Sequence, residues 1–159
     1  MSSNVWAGLK EKFKNSERCV EASCGDKSSF PGDEDSLDPP DRADIGRAAW
    51  RYLHSLAAHH PEDPTEQQQS NATAWLASFV QFYPCAHCAE HFVDVCETNP
   101  PRVSSRSDYA LWWCEAHNTV NEHLTVEPKS CDASKLIKMG LAGKTLDELL
   151  LGSSAATPE

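Results

Sequence analysis

The chain has 159 residues, of which 24 are acidic and 14 are basic, and its formal net charge is -10. That length suits one domain with tails. So acidic a composition argues against nucleic-acid binding, which relies on clustered Lys and Arg side chains. No apolar run reaches the length of a membrane-spanning helix, and the N-terminus lacks the apolar core of a secretory signal, so we expect a soluble protein.

The first forty residues differ from the rest in composition. They are rich in Ser, Asp, Gly and Pro and end at Pro39-Pro40, which is typical of a flexible arm. Near the N-terminus one short basic amphipathic turn is predicted, from Val5, Trp6, Leu9 and Phe13 with Lys10, Lys12 and Lys14. We predict a flexible arm over residues 1–40, a helical domain over 41–140, and a C-terminal extension over 141–159 that is partly helical and then disordered.

From Asp41 onward apolar residues recur at the three-and-four spacing of amphipathic helices, without a convincing period of two. The first predicted helix ends before Pro61, the second begins with a capping box of Thr65 and Gln68, and the third follows Pro84. The fourth runs from about Ser107 to Leu124, and a short fifth follows. The predicted inner faces include Ile45, Ala49, Tyr52, Leu53 and Leu56, then Ala72, Leu76, Phe79 and Val80, and finally Ala110, Trp113, His117, Val120 and Leu124. We therefore predict an all-α four-helix bundle plus a short fifth helix.

The segment Cys85-Ala86-His87-Cys88 is the most informative feature of the sequence. A CxxC pair directly after a proline falls in the first turn of a helix, where unpaired N–H groups and the helix dipole stabilise a thiolate. Thiol–disulfide exchange is thereby favoured. A thioredoxin fold is excluded because no βαβ pattern surrounds the motif, and c-type haem attachment is excluded because Ala89 follows Cys88.

Zinc binding is the main alternative for these cysteines. Cys85 and Cys88, followed by Cys114 and His117, resemble a Cys₃His zinc site. A second close pair, Cys19 and Cys24, lies in the predicted arm, where a closed zinc site would not require it. The proposed ligands also lie in regular helices rather than in the turns usual for small zinc modules. A non-catalytic zinc-stabilised interaction module therefore stays the second hypothesis.

Polar side chains form stripes on two of the predicted helices. Cys114, His117, Asn118 and Asn121 share one stripe of the fourth helix, and a similar stripe on the first helix consists of Arg47, Trp50 and His54. Each residue alone is more often a buried side chain with a satisfied partner. Two such stripes beside a CxxC pair instead indicate a planar, heteroatom-rich ligand inside the bundle.

Four segments together resemble, in order and spacing, the Erv/ALR family of FAD-linked sulfhydryl oxidases. They are GRAAWRYLHSLAAHHP, PTEQQQ, FYPCAHCAEHF and HNTVN. The resemblance covers roughly residues 45–131. It implies a bundle that encloses FAD, usually in a homodimer, and an enzyme that generates disulfide bonds in protein substrates.

The resemblance also implies roles for individual residues. Cys88 would lie against the flavin, Cys85 would be the exposed interchange thiol, and Cys19 with Cys24 would be a shuttle pair. Cys114 and Cys131 would form a structural disulfide, which removes Cys114 from the zinc hypothesis. Cys96, which is left without a partner, is expected to be a buried, inert free thiol, with an intermolecular bridge as the minor alternative. No metal ligand is expected. The residues implied to bind FAD are Arg47, Trp50, His54, Cys114, His117, Asn118 and Asn121.

Partners and compartment follow from the same resemblance. Electrons would pass from thiol-containing proteins, such as the import oxidoreductase of the mitochondrial intermembrane space, to oxygen, giving hydrogen peroxide, or to cytochrome c. We expect that compartment, with another oxidising compartment or the cytosol as alternatives. A twin-cysteine chaperone or adaptor is a third hypothesis, although the usual Cx₃C and Cx₉C pairs are absent from the sequence.

Overall fold

A computed structural model describes residues 4–14 and 40–142 of the chain. Within these ranges every regular element is a helix. The six helices are α1 (Asn4–Lys14), α2 (Arg42–Ala58), α3 (Glu66–Gln81), α4 (Ala86–Thr98), α5 (Arg106–His123) and α6 (Ala133–Ala142). The bundle predicted from the sequence corresponds to α2–α5 and the short fifth helix to α6, so the all-α prediction is confirmed. None of the described helices is long and apolar enough to cross a membrane.

Side chains at the helix starts fix the boundaries of the bundle helices. Asp41 caps α2 in a capping box with Asp44, and Thr65 caps α3 in the predicted box with Gln68. Ser105 accepts a hydrogen bond from the backbone N–H of Asp108 at the start of α5. These side chains satisfy N–H groups that the first helical turn leaves unpaired.

The core is rich in aromatic rings contributed mainly by α5. Tyr109, Trp112 and Trp113 are at most 1% exposed, and Phe92 of α4 stacks on Trp113 with ring centroids 6.0 Å apart. Two residues predicted to face inward are instead exposed: Tyr52 at 53% and Leu124 at 58%. The reason differs between them, because Tyr52 lies one position from the buried Leu53, whereas Leu124 caps the C-terminal end of α5.

Helix α1 lies within the residues predicted as a flexible arm, yet it packs on the bundle. Its Trp6, Leu9 and Phe13 join the hydrophobic core, and the helix contacts α4 and α3. The predicted amphipathic turn is therefore a docked helix of 11 residues. The rest of the arm, including Cys19 and Cys24, and the extension beyond residue 142 lie outside the described residues.

Helix α6 closes the bundle by packing on α2 and α5. A disulfide between Cys114 and Cys131, the pairing that the resemblance implies, ties α5 to the segment before α6. Gly140 lies so close to α2 that a Cβ atom added there would be 2.7 Å from the carbonyl oxygen of His54. The contact needs a residue without a side chain, and α6 is thereby held directly against the polar stripe of α2.

Candidate functional site

The CxxC pair lies at the start of α4, as the sequence predicts. Cys85 is the N-cap, Cys88 lies in the first turn, and the two are joined by a disulfide. The backbone N–H of Cys88 donates a hydrogen bond to Sγ of Cys85 over 3.3 Å. At least one N–H group of the first turn therefore points at Sγ of Cys85, where the start of the helix stabilises a thiolate formed when the disulfide opens.

The exposure of the two cysteines differs from what the resemblance implies. Cys85, the implied exposed interchange thiol, is only 7% exposed, whereas Cys88 is partly exposed. The N-cap geometry explains the difference, since the Cys85 side chain turns back onto the end of α4 to accept the N–H of Cys88. In this arrangement Cys85 is the more buried of the two cysteines.

An aromatic and histidine cluster lies next along α4. Cys88 and Phe92 are four residues apart and share one face of the helix. The Phe92 ring contacts Trp50 of α2 with centroids 6.1 Å apart, and Trp50 stacks flat on His117 of α5 at 3.9 Å. Nε2 of His54 lies 3.0 Å from Nδ1 of His117, so one imidazole donates a hydrogen bond to the other. Three of the predicted site residues, Trp50, His54 and His117, thus meet beside Phe92, which lies one helical turn from Cys88.

Both imidazoles of this cluster are neutral near pH 7. Burial lowers the pKa of His54 to about 4. Burial also lowers the pKa of His117 to about 4, with smaller contributions from His54 and from the positive charge of Lys129. Asn121, 7% exposed, adds an uncharged amide on the same face of α5. These side chains offer hydrogen bonds and ring surfaces without charge, which suits a planar heteroaromatic ligand.

A cleft of about 540 Å³ opens beside the turn that carries the CxxC pair. That volume lies within the range of small-molecule sites. Its walls come from the start of α2 and the end of α3, and its floor reaches the residue before Cys85. The lining residues are Pro40, Asp44, Ile45, Ala48, Ala49, Phe79, Phe82, Tyr83 and Pro84. Sequence reasoning did not name this cleft, although the FYPC segment that it used contributes Phe82, Tyr83 and Pro84.

Two further predicted site residues make polar contacts outside the histidine cluster. Arg47 is on the exposed side of α2 and pairs with Asp44. The Asn118 side-chain amide makes two hydrogen bonds to the backbone of Lys129. Its Nδ2 donates to the Lys129 carbonyl oxygen over 2.7 Å, and its Oδ1 accepts a hydrogen bond from the Lys129 N–H over 2.8 Å. Asn118 therefore positions the loop after α5.

The zinc arrangement is not assembled in the described part of the chain. Cys85 and Cys88 share one disulfide, and Cys114 is joined to Cys131. Over the described ranges, no three Cys, His, Asp or Glu side chains are grouped so that they could hold a metal ion. Cys96 is a free thiol with 0% exposure, and burial raises its pKa far above the ordinary value.

Comparison with protein families identifies the group to which this bundle belongs. Residues 47–139, more than half of the chain, match the model of the Erv1 / Alr family. The chain belongs to the Erv1/Alr family. The resemblance predicted from the motifs is thereby confirmed, and the matched region contains both the CxxC pair and the histidine cluster.

Relatives of this Erv1/Alr chain include two with similar extents of alignment. The FAD-linked sulfhydryl oxidase ERV1 of Arabidopsis thaliana is 39% identical over 95 residues, which are 60% of this chain and 50% of that protein. The mitochondrial FAD-linked sulfhydryl oxidase ERV1 of Saccharomyces cerevisiae is 42% identical over 96 residues, which are 60% of this chain and 51% of that protein. The Erv1/Alr chain spans about half the length of these curated relatives.

Solved structures support the same fold. The yeast Erv1 core has a TM-score of 0.61 and 38% identity to this Erv1/Alr chain, covering 70% of this chain and 94% of that one. The FAD binding domain of Erv1 from Saccharomyces cerevisiae has a TM-score of 0.61 and 36% identity, covering 67% of this chain and 100% of that one. The bundle described above is therefore the fold of these domains.

Proposed function

We propose that the chain is an FAD-dependent thiol oxidase that generates disulfide bonds in protein substrates. The observation that carries the proposal is the Cys85–Cys88 disulfide at the start of α4, one helical turn from Phe92, whose ring contacts Trp50 of the cluster with His54 and His117. Family membership and relatives named FAD-linked sulfhydryl oxidases support it.

The residues near the redox pair fit FAD. The two neutral imidazoles and the amide of Asn121 match the uncharged hydrogen-bonding edges of a flavin or adenine ring, and Trp50 offers a stacking surface. Arg47 and Lys129, at the exposed ends of this region, are the cations that we propose for the diphosphate. When bound, FAD supplies a two-electron acceptor that a dithiol can reduce and that an external oxidant can reoxidise.

The cysteines carry out the exchange chemistry. A substrate thiolate attacks Sγ of Cys85, a bond forms between the two sulfur atoms, and the Cys85–Cys88 bond breaks with Cys88 leaving as a thiolate. The second substrate thiolate then attacks the substrate sulfur of the mixed disulfide and releases Cys85. The substrate is oxidised to a disulfide, and the enzyme holds two reduced sulfurs. We assign Cys88 to the flavin side because it lies one turn from Phe92 and the aromatic cluster.

Substrate delivery is assigned to Cys19 and Cys24. We propose that this pair accepts electrons from thiol-containing proteins and passes them to Cys85. The electron acceptor is oxygen, giving hydrogen peroxide, or cytochrome c. Two relatives are named mitochondrial, which supports placement in mitochondria. We propose the intermembrane space as the compartment and its import oxidoreductase as the protein substrate.

A homodimer is proposed through the aromatic face of α2 and α3. Tyr52, which is 53% exposed, lies 6.0 Å from Trp75 between ring centroids, and Trp75 stacks on Phe79 at 5.3 Å. This row continues to Tyr83, whose ring centroid lies 5.6 Å from that of Phe79. Exposed aromatic rows of this kind are typical of interface cores, so a second copy is the occupant that we propose.

The activity is tested by spectroscopy of the purified protein. We expect a flavin absorption band that bleaches when dithiothreitol is added without oxygen and returns when oxygen is admitted. Cys88→Ser should bind flavin but fail to bleach with the dithiol, whereas Cys96→Ser, the matched cysteine control, should bleach as the parent does. A protein that takes up no flavin on refolding with FAD would refute the assignment.

The order of the two sulfurs is tested by trapping. With a single-cysteine peptide activated as its thionitrobenzoate disulfide, in a Cys19→Ser/Cys24→Ser background, the Cys85 thiolate of Cys88→Ser should attack the peptide sulfur, form a mixed disulfide at Cys85 and release thionitrobenzoate. Cys85→Ser should accumulate little, because Cys88 is assigned to the flavin side. If Cys85→Ser traps the substrate and Cys88→Ser does not, the partly exposed Cys88 is the interchange thiol and the assigned order is reversed.

A further inference from the structure

Two histidines from different helices meet near the start of α4, apart from the cluster of His54 and His117. The ring of His91, on α4, lies against the ring of His123 at the end of α5, with centroids 4.1 Å apart and planes tilted by 33°. His91 is half-buried, whereas His123 is exposed. The contact therefore orients the His91 ring at a place that water reaches.

Helical spacing brings His91 close to the redox pair. His91 follows Cys88 by three residues, and side chains at this spacing share a helix face with Cβ atoms about 5–6 Å apart. Cα–Cβ bonds in a helix tilt toward its N-terminus, so the His91 side chain leaves the backbone in the direction of the turn that contains Cys88. An imidazole and a partly exposed sulfur atom thus lie one turn apart on the same face of α4.

The His91 imidazole is uncharged near pH 7 while the disulfide is closed. Burial lowers its pKa, and the nearby His123 and His87 lower it further, whereas Asp94 opposes them. The Asp94 carboxylate is itself paired with Lys10, whose Nζ lies 2.6 Å from Oδ1. An uncharged imidazole can accept a proton, and a thiolate formed one turn away stabilises the resulting imidazolium.

We infer that His91 is the proton acceptor for the Cys88 thiol of the reduced redox pair. This inference rests on the assignment of Cys88 to the flavin side in the proposed function, and it adds the group that keeps this sulfur in its reactive form. The S–H bond of Cys88 breaks, an N–H bond forms on His91, and the products are a thiolate and an imidazolium, with no electron transferred. When the disulfide closes again, the negative charge is lost, the pKa of His91 falls, and the proton leaves to water.

The distance between the two side chains sets the expected size of the effect. An opposite charge within about 4–6 Å lowers the pKa of an acid by about 1–3. Both side chains are partly exposed, so solvent screens the pair and the lower end of this range applies. A thiol pKa lower by about 1 gives about tenfold more thiolate at a pH below it, and the thiolate is the form that reacts.

Alkylation by iodoacetamide measures the Cys88 thiolate without relying on turnover. The background is the full-length protein, as purified, with Cys19→Ser/Cys24→Ser/Cys85→Ser. This small reagent reaches the partly exposed Cys88, whereas Cys96 is 0% exposed. Peptide mapping by mass spectrometry gives the rate between about pH 5 and 9. His91→Gln should lower that rate about tenfold at pH 7 and move the midpoint of the profile upward by about 1, and an unchanged profile would overturn the inference.

A fixed charge at position 91 separates proton acceptance from packing. His91→Lys places a permanent cation on the same face of α4 and should restore most of the rate at pH 7, because the charge again stabilises the thiolate. Loss of the rate in both His91→Gln and His91→Lys would show that the ring acts through packing and would overturn the inference.

His59→Gln is the matched control for removal of a histidine. His59 caps the far end of α2, whose 17 residues span about 25 Å from the end that borders the CxxC turn. This variant should leave the alkylation profile unchanged. An effect equal to that of His91→Gln would show that the profile does not depend on the site and would overturn the inference.

Two neighbouring histidines are the rival acceptors. His87 lies between the two cysteines, and His123 contacts His91. His87→Gln should keep the parent profile, and so should His123→Phe, which retains a ring at the contact. If either variant loses the thiolate while His91→Gln keeps it, the assignment to His91 fails.

Flavin content separates this failure from that of the proposed function. A protein that takes up no flavin refutes the oxidase, whatever the alkylation profile shows. A parent-like profile of the His91→Gln variant, in a protein whose flavin bleaches with dithiothreitol, refutes the proton acceptor and leaves the oxidase in place.

Discussion

The contact between α6 and α2 at Gly140 makes a sharp stability prediction. A Cβ atom at this position would lie 2.5 Å from Cβ of Ala58 and 2.7 Å from the carbonyl oxygen of His54. Carbon atoms in contact are separated by about 3.5–4.0 Å, so Gly140→Ala must push α6 away from α2 by about 1 Å. The hydrogen bond from Ser55 Oγ to the Gly140 carbonyl, 3.0 Å long, would be strained by the same movement.

The expected magnitude combines three effects. Overpacking costs about 1–3 kcal/mol, and loss of the Ser55 hydrogen bond costs about 1 kcal/mol. Replacing glycine by alanine inside a helix by itself raises the free energy of unfolding by about 1 kcal/mol, which offsets part of this loss. The free energy of unfolding should therefore fall by about 1–3 kcal/mol. The clash involves the backbone carbonyl of His54, whose side chain is one of the proposed flavin-binding groups. Gly140→Ala should therefore also weaken flavin retention.

Gly46→Ala is the matched control, because it is also a helical glycine and a Cβ there would meet nothing within 4 Å. This variant should raise the free energy of unfolding of the flavin-free protein by about 0.5–1 kcal/mol. Urea denaturation followed by tryptophan fluorescence measures both variants. Equal stability of Gly140→Ala and Gly46→Ala would show that α6 does not approach α2 as closely as described.

Three further outcomes are expected. Thr125 is a β-branched residue at φ 58°, a left-handed conformation that costs about 1–2 kcal/mol. Thr125→Gly should therefore raise the free energy of unfolding by about 0.5–1 kcal/mol in urea denaturation, and a lower free energy of unfolding would contradict the strain. Cys96→Ser places a hydroxyl in the apolar core and should lower the free energy of unfolding by about 1–2 kcal/mol without changing kcat. Since burial lowers the pKa of His54 and His117 to about 4, the unfolded chain binds protons between pH 6.5 and 4 that the folded chain does not. The free energy of unfolding of the flavin-free protein should therefore decrease as the pH is lowered from 6.5 to 4, by up to about 1.4 kcal/mol per histidine per pH unit. His54→Gln should flatten this slope, and an unchanged slope would refute the lowered pKa of His54.

The helices of the bundle could be predicted from the sequence because their signals are local. The spacing of apolar residues marks each amphipathic face, and the Thr65–Gln68 box marks the start of α3 through two hydrogen bonds within four residues. Pro84 likewise places Cys85 and Cys88 in a first helical turn. Such features depend on neighbours along the chain, so sequence reasoning finds them without knowledge of packing.

Other features depend on which surfaces meet. The apolar spacing of Trp6, Leu9 and Phe13 was visible in the sequence, but the surface that covers it belongs to α4, more than seventy residues away. The need for glycine at position 140 arises from a backbone carbonyl of α2. Asn118 shares a stripe of α5 with His117 and Asn121, and its hydrogen bonds to the backbone of Lys129 could not be predicted from that spacing. Periodicity identifies a face of a helix and leaves its partner undetermined.

The two disulfides differ in how much of the fold depends on them. Cys114 and Cys131 are seventeen residues apart and tie α5 to the segment before α6, whereas Cys85 and Cys88 are three apart within one helical turn. In the chain-entropy model, closing the longer loop stabilises the fold by about 3 kcal/mol and the shorter by about 2 kcal/mol. Reducing the shorter one also leaves both sulfurs at the N-terminus of α4, where N–H groups stabilise a thiolate. In the proposed oxidase cycle the CxxC pair therefore opens and closes while Cys114–Cys131 keeps α6 docked on α2.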